Sequence, residues 1–159
     1  MAEVVFTNNI SGVIKELDNF IKERMTDACV AVRLNAINSM KEPKTGRVYD
    51  TYFYIGANGK LYKIGKRWKP HQASAPGEPP AIDNGELIEH IFIQVNDKGT
   101  EGQVGIPENA VSKVSGKQIG KTGICLEYGT SKMKPRPWLK PAFKNSKDKI
   151  TEIFTKPME

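Results

Sequence analysis

The residues of this chain whose types invite a chemical reading are its two histidines, its two cysteines and one Gly-Lys-Thr triplet. Gly120-Lys121-Thr122 has the ending of a phosphate-cradling loop. Such a loop needs a glycine five residues before the Gly-Lys pair, where bare backbone N–H groups wrap the phosphate, and Ser115 stands there instead. Gly123 then interrupts the helix that should begin at that point, so the triplet reads as a surface loop. His71 and His90 lack a His or Cys three or four residues on, so zinc spacing is absent. His71 could pair with Glu78 or Asp83 for general acid–base work, as a small hydrolase would require. A loop histidine bonded to backbone fits the same residues. His90, in Glu89-His90-Ile91-Phe92, reads as an outward strand residue. Cys29 would be a nucleophile only with a partner base, and on its apolar helical background it reads as core. Cys29 and Cys125 have no paired spacing and read as reduced, buried thiols. No catalytic set, metal site or cofactor site is expected.

One charge cluster stands out. Lys60, Lys63, Lys66, Arg67 and Lys69 follow one another with no acid between them. In an extended strand alternate residues share a face, so Lys63, Arg67 and Lys69 would lie on one side and Tyr62, Ile64 and Trp68 on the other. Lysines that neutralise phosphates beside rings on which bases stack make a nucleic-acid surface. A solvated hairpin whose aromatics pack on the sheet accounts for the same pattern. Tyr52, Tyr54 and Trp68 are also candidate anchors against a neighbouring subunit.

The elements that position these residues follow from periodicity. Ile10, Ile14, Leu17, Ile21, Met25, Ala28, Val32 and Ala36 recur at helical spacing, with Val13 and Phe20 widening the stripe. The expected helix spans 10–41, with Ser11 as a cap, and ends before Pro43. It would be a rod of roughly 45 Å, longer than so small a core needs, with one end projecting or packing on a neighbouring copy. A β-hairpin over 47–66 follows, turning at Ala57-Asn58-Gly59. Residues 70–85, rich in proline and glycine, read as an ordered loop. Residues 86–130 carry the sheet, with strands near 87–95 and 103–106, a mobile stretch at 112–123 and a short helix or strand at 124–128. A C-terminal helix is expected over 137–156, with Pro141 tolerated in its first turn. The pattern predicts a single α+β domain, in which long N- and C-terminal helices pack on a small antiparallel sheet and an extra β-hairpin is added.

Bulk properties agree. A chain of 159 residues suits one domain. Hydrophobic residues are 38% of the total and mean hydropathy is −0.47, so a water-soluble chain is expected. No apolar run approaches the ~18 residues of a membrane span, and Met1–Phe6 does not read as a signal peptide. The formal net charge of +6 suits nucleic acid or acidic protein surfaces without choosing between them.

Five segments in chain order carry a resemblance. They are Thr45-Gly46-Arg47, the stretch from His71 to Ala81 (His-Gln-Ala-Ser-Ala-Pro-Gly-Glu-Pro-Pro-Ala), Gly85-Glu86-Leu87, Leu126-Glu127-Tyr128-Gly129-Thr130, and the stretch from Arg136 to Ala142 (Arg-Pro-Trp-Leu-Lys-Pro-Ala). In order and spacing the chain resembles, over residues 10–156, the head–tail joining proteins of long-tailed bacteriophages, also called tail-completion or neck proteins. The lysine-rich hairpin between Arg47 and His71 is longer than that family's usual link. The resemblance implies a structural virion protein without enzyme activity, assembled in the host bacterial cytoplasm and sited at the neck or tail top. It would form a closed ring homo-oligomer, with a hexamer as the working number. The ring would join the head connector or adaptor proteins to the tail tube or tail terminator, and basic residues would face genomic DNA in the lumen without reading sequence. On this view His71, Pro76, Glu78 and Trp138 join Tyr52, Tyr54 and Trp68 as candidates to face a subunit or partner. The alternative is a basic nucleic-acid-binding module using the 60–69 hairpin.

Overall fold

The structure, a computed structural model, describes residues 10–56, 58–112 and 116–157, and within those ranges every side chain except those of residues 53–55 and 61. Ala57 of the expected turn, Ser115, the Met1–Phe6 segment and the Tyr54 side chain therefore lie outside the described residues.

Helix α1 spans Ile10–Lys41, and β1 (Val48–Ile55) and β2 (Leu61–Gln72) form the first hairpin. Helix α2 (Glu86–Glu89) is a single turn before β3 (Phe92–Val95) and β4 (Gly102–Gly105). Helices α3 (Ile119–Tyr128), α4 (Leu139–Asn145) and α5 (Lys147–Thr155) complete the chain. The α+β class is as expected. The strands form two separate two-stranded antiparallel sheets: β3–β4 is the small sheet and β1–β2 the extra hairpin.

α1 is the spine, because from Val13 to Lys41 its apolar stripe runs unbroken by Pro or Gly. Its C-terminal half carries the buried residues Ala28, Cys29, Val32, Ala36, Ile37 and Met40. Against it lie β3, β4, α4 and α5. Ile91, Trp138 and Ala142 close the core, with Leu87, Val104, Ile106 and Leu126 packed around it. The Arg33 Nε donates to the Ile91 carbonyl at 2.8 Å, tying the spine to the start of β3. The N-terminal part of the same stripe is different: Val13, Ile14 and Leu17 are exposed. Ser11 lies inside the helix and does not cap it.

Three further boundaries differ from expectation. β2 continues through Pro70 to Gln72, so the loop begins at Ala73. The register explains how a strand accommodates that proline: Tyr49 pairs with His71 and Thr51 with Lys66, so Pro70 sits in the irregular stretch between and owes no ladder hydrogen bond. Within the stretch read as mobile, residues 119–123 open helix α3. The C-terminal helix is two helices, broken at Ser146, whose hydroxyl donates to the Ala142 carbonyl at 2.8 Å. Pro141 does fall in the first turn of α4.

Candidate functional site

Four of the five segments singled out by sequence meet in one hydrogen-bonded seam; the fifth, Gly85-Glu86-Leu87, stands apart, with Glu86 bonded to Asn84 and Ser112 and Leu87 packed on the core. At the centre of the seam is Glu78. Its carboxylate accepts from the Thr45 N–H at 3.1 Å, the Thr45 hydroxyl at 2.5 Å and the Ala75 N–H at 2.8 Å. Thr45 first, then the Ala75 N–H, hold its pKa below the ordinary carboxylate value. The chain stitches onward: the Ala73 N–H donates to the Arg47 carbonyl, and the Gly77 N–H to the Pro135 carbonyl. Arg136 Nε donates to the Ser74 carbonyl at 3.1 Å, and its own N–H reaches the Leu126 carbonyl. Gly46 admits no side chain, since a Cβ there would stand 2.4 Å from the Ala73 carbonyl oxygen.

The second half of the seam is a helix cap. Glu127, near the end of α3, accepts from the N–H groups of Trp138, Leu139 and Lys140 at 2.8, 2.9 and 3.0 Å. These are orphan donors of the α4 N-terminus, and a carboxylate there also complements the helix dipole. Trp138 follows into the core at 3% exposure, and its indole N–H donates to the Gly123 carbonyl at 3.3 Å. This corrects two expectations. Trp138 is a core residue and not a surface anchor, and Glu78 spends its carboxylate inside the chain. Pro76 does lie on the surface.

His71 meets Asp83 and not Glu78: its Nδ1 lies 3.8 Å from the Asp83 carboxylate. Asp83 is already engaged with Arg67, which grips it through both terminal nitrogens at 2.5 and 3.0 Å. This two-pronged pair, above all its hydrogen bond, holds Asp83 below the ordinary carboxylate value. The guanidinium also stacks over the Tyr52 ring at 4.4 Å, while Arg67 Nε is buried with no hydrogen-bond partner. Arg67 is thus a bracket between the hairpin base and the 73–85 loop, a correction to its place among cations free to meet DNA. Tyr52, half of whose surface stays open, is its platform.

The rest of the basic cluster is available. Lys60, Lys63, Lys66 and Lys69 are exposed, and so are Tyr62 and Ile64. Trp68 is 93% exposed, so it does not pack on the sheet. The register skips from the Tyr52–Gly65 pair to Phe53–Lys63, and this bulge interrupts the simple alternation of faces.

Other sequence candidates resolve as packing. Gly120 lies where a Cβ would come within 2.3 Å of the Pro107 carbonyl oxygen, and Thr122 donates to the Gln118 carbonyl. The glycine is there for contact between α3 and the preceding loop. His90 ends α2 and is not a strand residue; its Nδ1 lies 2.7 Å from the Glu86 carbonyl oxygen. Cys29 is buried, which pushes its thiol up and away from the reactive thiolate. Cys125 is free and half-buried. Among the described residues no group of three His, Cys, Asp or Glu side chains could hold a metal ion.

Sequence reasoning missed an open apolar groove of about 800 Å³ between α1, α3, α4 and α5. Met25, Val32, Ile106 and Trp138 are among the residues at its base, and Ile124, Tyr128, Phe143 and Phe154 stand exposed along it. The signal was the i, i+4 pair Ile124 and Tyr128, hidden because α3 opens with two glycines in its first five residues. Comparison with family models, with curated proteins and with solved structures finds no match.

Proposed function

We propose that this protein is a structural subunit that works by fitting against other polypeptides, of the kind that joins head to tail in a long-tailed bacteriophage. In that role it contributes to a ring at the neck or tail top, between the head connector and the tail tube, and carries out no reaction. The observation that carries this reading is the seam. Four of the five separated segments whose order and spacing resemble those of the joining proteins converge on one network, through Thr45–Glu78, Gly77–Pro135, Arg136–Ser74 and the Glu127 cap. Their polar groups bond to one another, as a stiff frame requires, and a frame held rigid before docking loses less freedom on binding. Large apolar side chains remain outside, at Trp68, Tyr128 and Phe143, where partner surfaces draw their anchors. Particles assembled without this chain test the reading: it expects filled heads and tails that stay unjoined, and tailed, infectious particles would overturn it.

A second reading has its own support. Four exposed lysines lie along the hairpin that carries the nearly bare Trp68 indole, a combination suited to phosphates and a stacked base. A salt-titrated gel shift separates the two. Binding with a steep salt slope that disappears when Lys60, Lys63, Lys66 and Lys69 become Ala favours nucleic acid.

A further inference from the structure

We infer that the groove between α1, α3, α4 and α5 receives the projecting start of α1 from a second copy of this chain. The inference deepens the assembly reading above and rests on it for the expectation of a ring.

From Val13 to Asn19 every residue of α1 is exposed. Val13, Ile14 and Leu17 make an apolar stripe there, continued toward the body by Ile21. Among the described residues no other strand or helix covers it. These first turns extend about 15 Å. An apolar helix face in water gains nothing for its own fold and is a liability unless something covers it. On the same molecule the groove presents an open apolar hollow edged by Ile124, Tyr128, Phe143 and Phe154. Tyr128 is 76% exposed with its ring at the rim.

Area and charge both favour a second copy. With ordinary side-chain areas scaled by the observed exposures, the two patches offer roughly 700 Å² of apolar surface, the order expected of a standard interface once its polar rim is added. The charges match as well. Taking 100° per residue, the first charged residues flanking the α1 stripe are Asp18 on one edge and Glu16 on the other. The exposed Lys140 lines the groove, and Lys121 and Lys144, also exposed, stand one helical turn from its lining residues Ile124 and Lys140. Glu127, the acid on that wall, is occupied in capping α4. An acid-edged apolar helix entering a lysine-edged apolar groove is complementary in both respects. Because stripe and groove are different surfaces, each copy offers one of each, which is what a closed ring built from a one-way contact needs.

The test is the mass of the full-length chain by sedimentation velocity up to about 100 μM. One variant carries Ile14→Glu and Leu17→Glu. A second carries Ile124→Glu and Tyr128→Glu, with the same added charge so that the altered patches cannot attract each other. All four sites are exposed, and circular dichroism checks that each variant keeps its helices. The expected result is self-association of the unmodified chain, at least tenfold weakening in either variant, and a one-to-one complex when the variants are mixed, since one intact stripe then meets one intact groove. A monomeric unmodified chain, or association that survives both variants, overturns the inference. Failure of the wider reading looks different. Self-association that stops at a dimer supports the docking but contradicts the ring. Association untouched by the variants contradicts the docking and leaves the ring standing.

Discussion

The seam and the hairpin are built from similar residues and put them to opposite use. In the seam a threonine, two glutamates and an arginine are consumed by internal bonds, and Trp138 is sealed in the core. Thirteen positions after the hairpin turn begins at Asn58 the chain is back in the seam at His71, yet between them four lysines and Trp68 stand in solvent. From within the basic run Arg67 ties that arm to the body through Asp83. The contrast teaches that residue type alone does not distinguish frame from contact surface. What distinguishes them is whether the polar groups have been satisfied within the chain.

Four substitutions separate the two regions. Trp138→Ala removes a buried indole and its hydrogen bond, and should cost about 3–5 kcal/mol of stability in urea unfolding. The other tryptophan serves as the control. Glu127→Ala leaves three helix-start N–H groups without their acceptor and should cost about 2–3 kcal/mol, with helical signal lost first from the C-terminal region. Glu78 gives a pH signature. Its pKa in the folded state lies below the ordinary value of 4.5, so the stability it contributes is complete above that value and is lost as pH falls through the folded one. Glu78→Gln should therefore be less stable than the unmodified chain at pH 7, and the gap should close on acidification to about pH 3; a gap independent of pH would remove Glu78 from the centre of the seam. The smallest effect belongs to Trp68→Ala, which should change stability by no more than about 0.5 kcal/mol. A large loss there would mean that the hairpin is part of the frame.

Much of the frame was legible in sequence, because it depends on period and on turn residues. The apolar recurrence from Ile10 to Ala36 and the stop at Pro43 mark α1, and Asn58-Gly59 marks the hairpin turn, where Gly59 takes a φ of 75°. What stayed hidden depends on contacts between distant residues. α3 was obscured because Gly120 and Gly123 lower helix propensity, yet packing selects them: Gly120 lies against Pro107, and Gly123 against Ile106 and Trp138. Strand alternation cannot reveal that Arg67 is claimed by Asp83 sixteen residues later. Nor can an Arg-Pro-Trp segment announce that its tryptophan turns inward, since that follows from Glu127 anchoring the backbone beside it. The groove was out of reach for the same reason, its walls coming from four helices.

We propose above all that the chain acts by assembly. The most direct test is the solution mass of the intact protein alone and mixed with head connector or tail-tube protein. The claim predicts a multimeric ring that takes up at least one of those partners. A chain that stays monomeric and binds neither would contradict it.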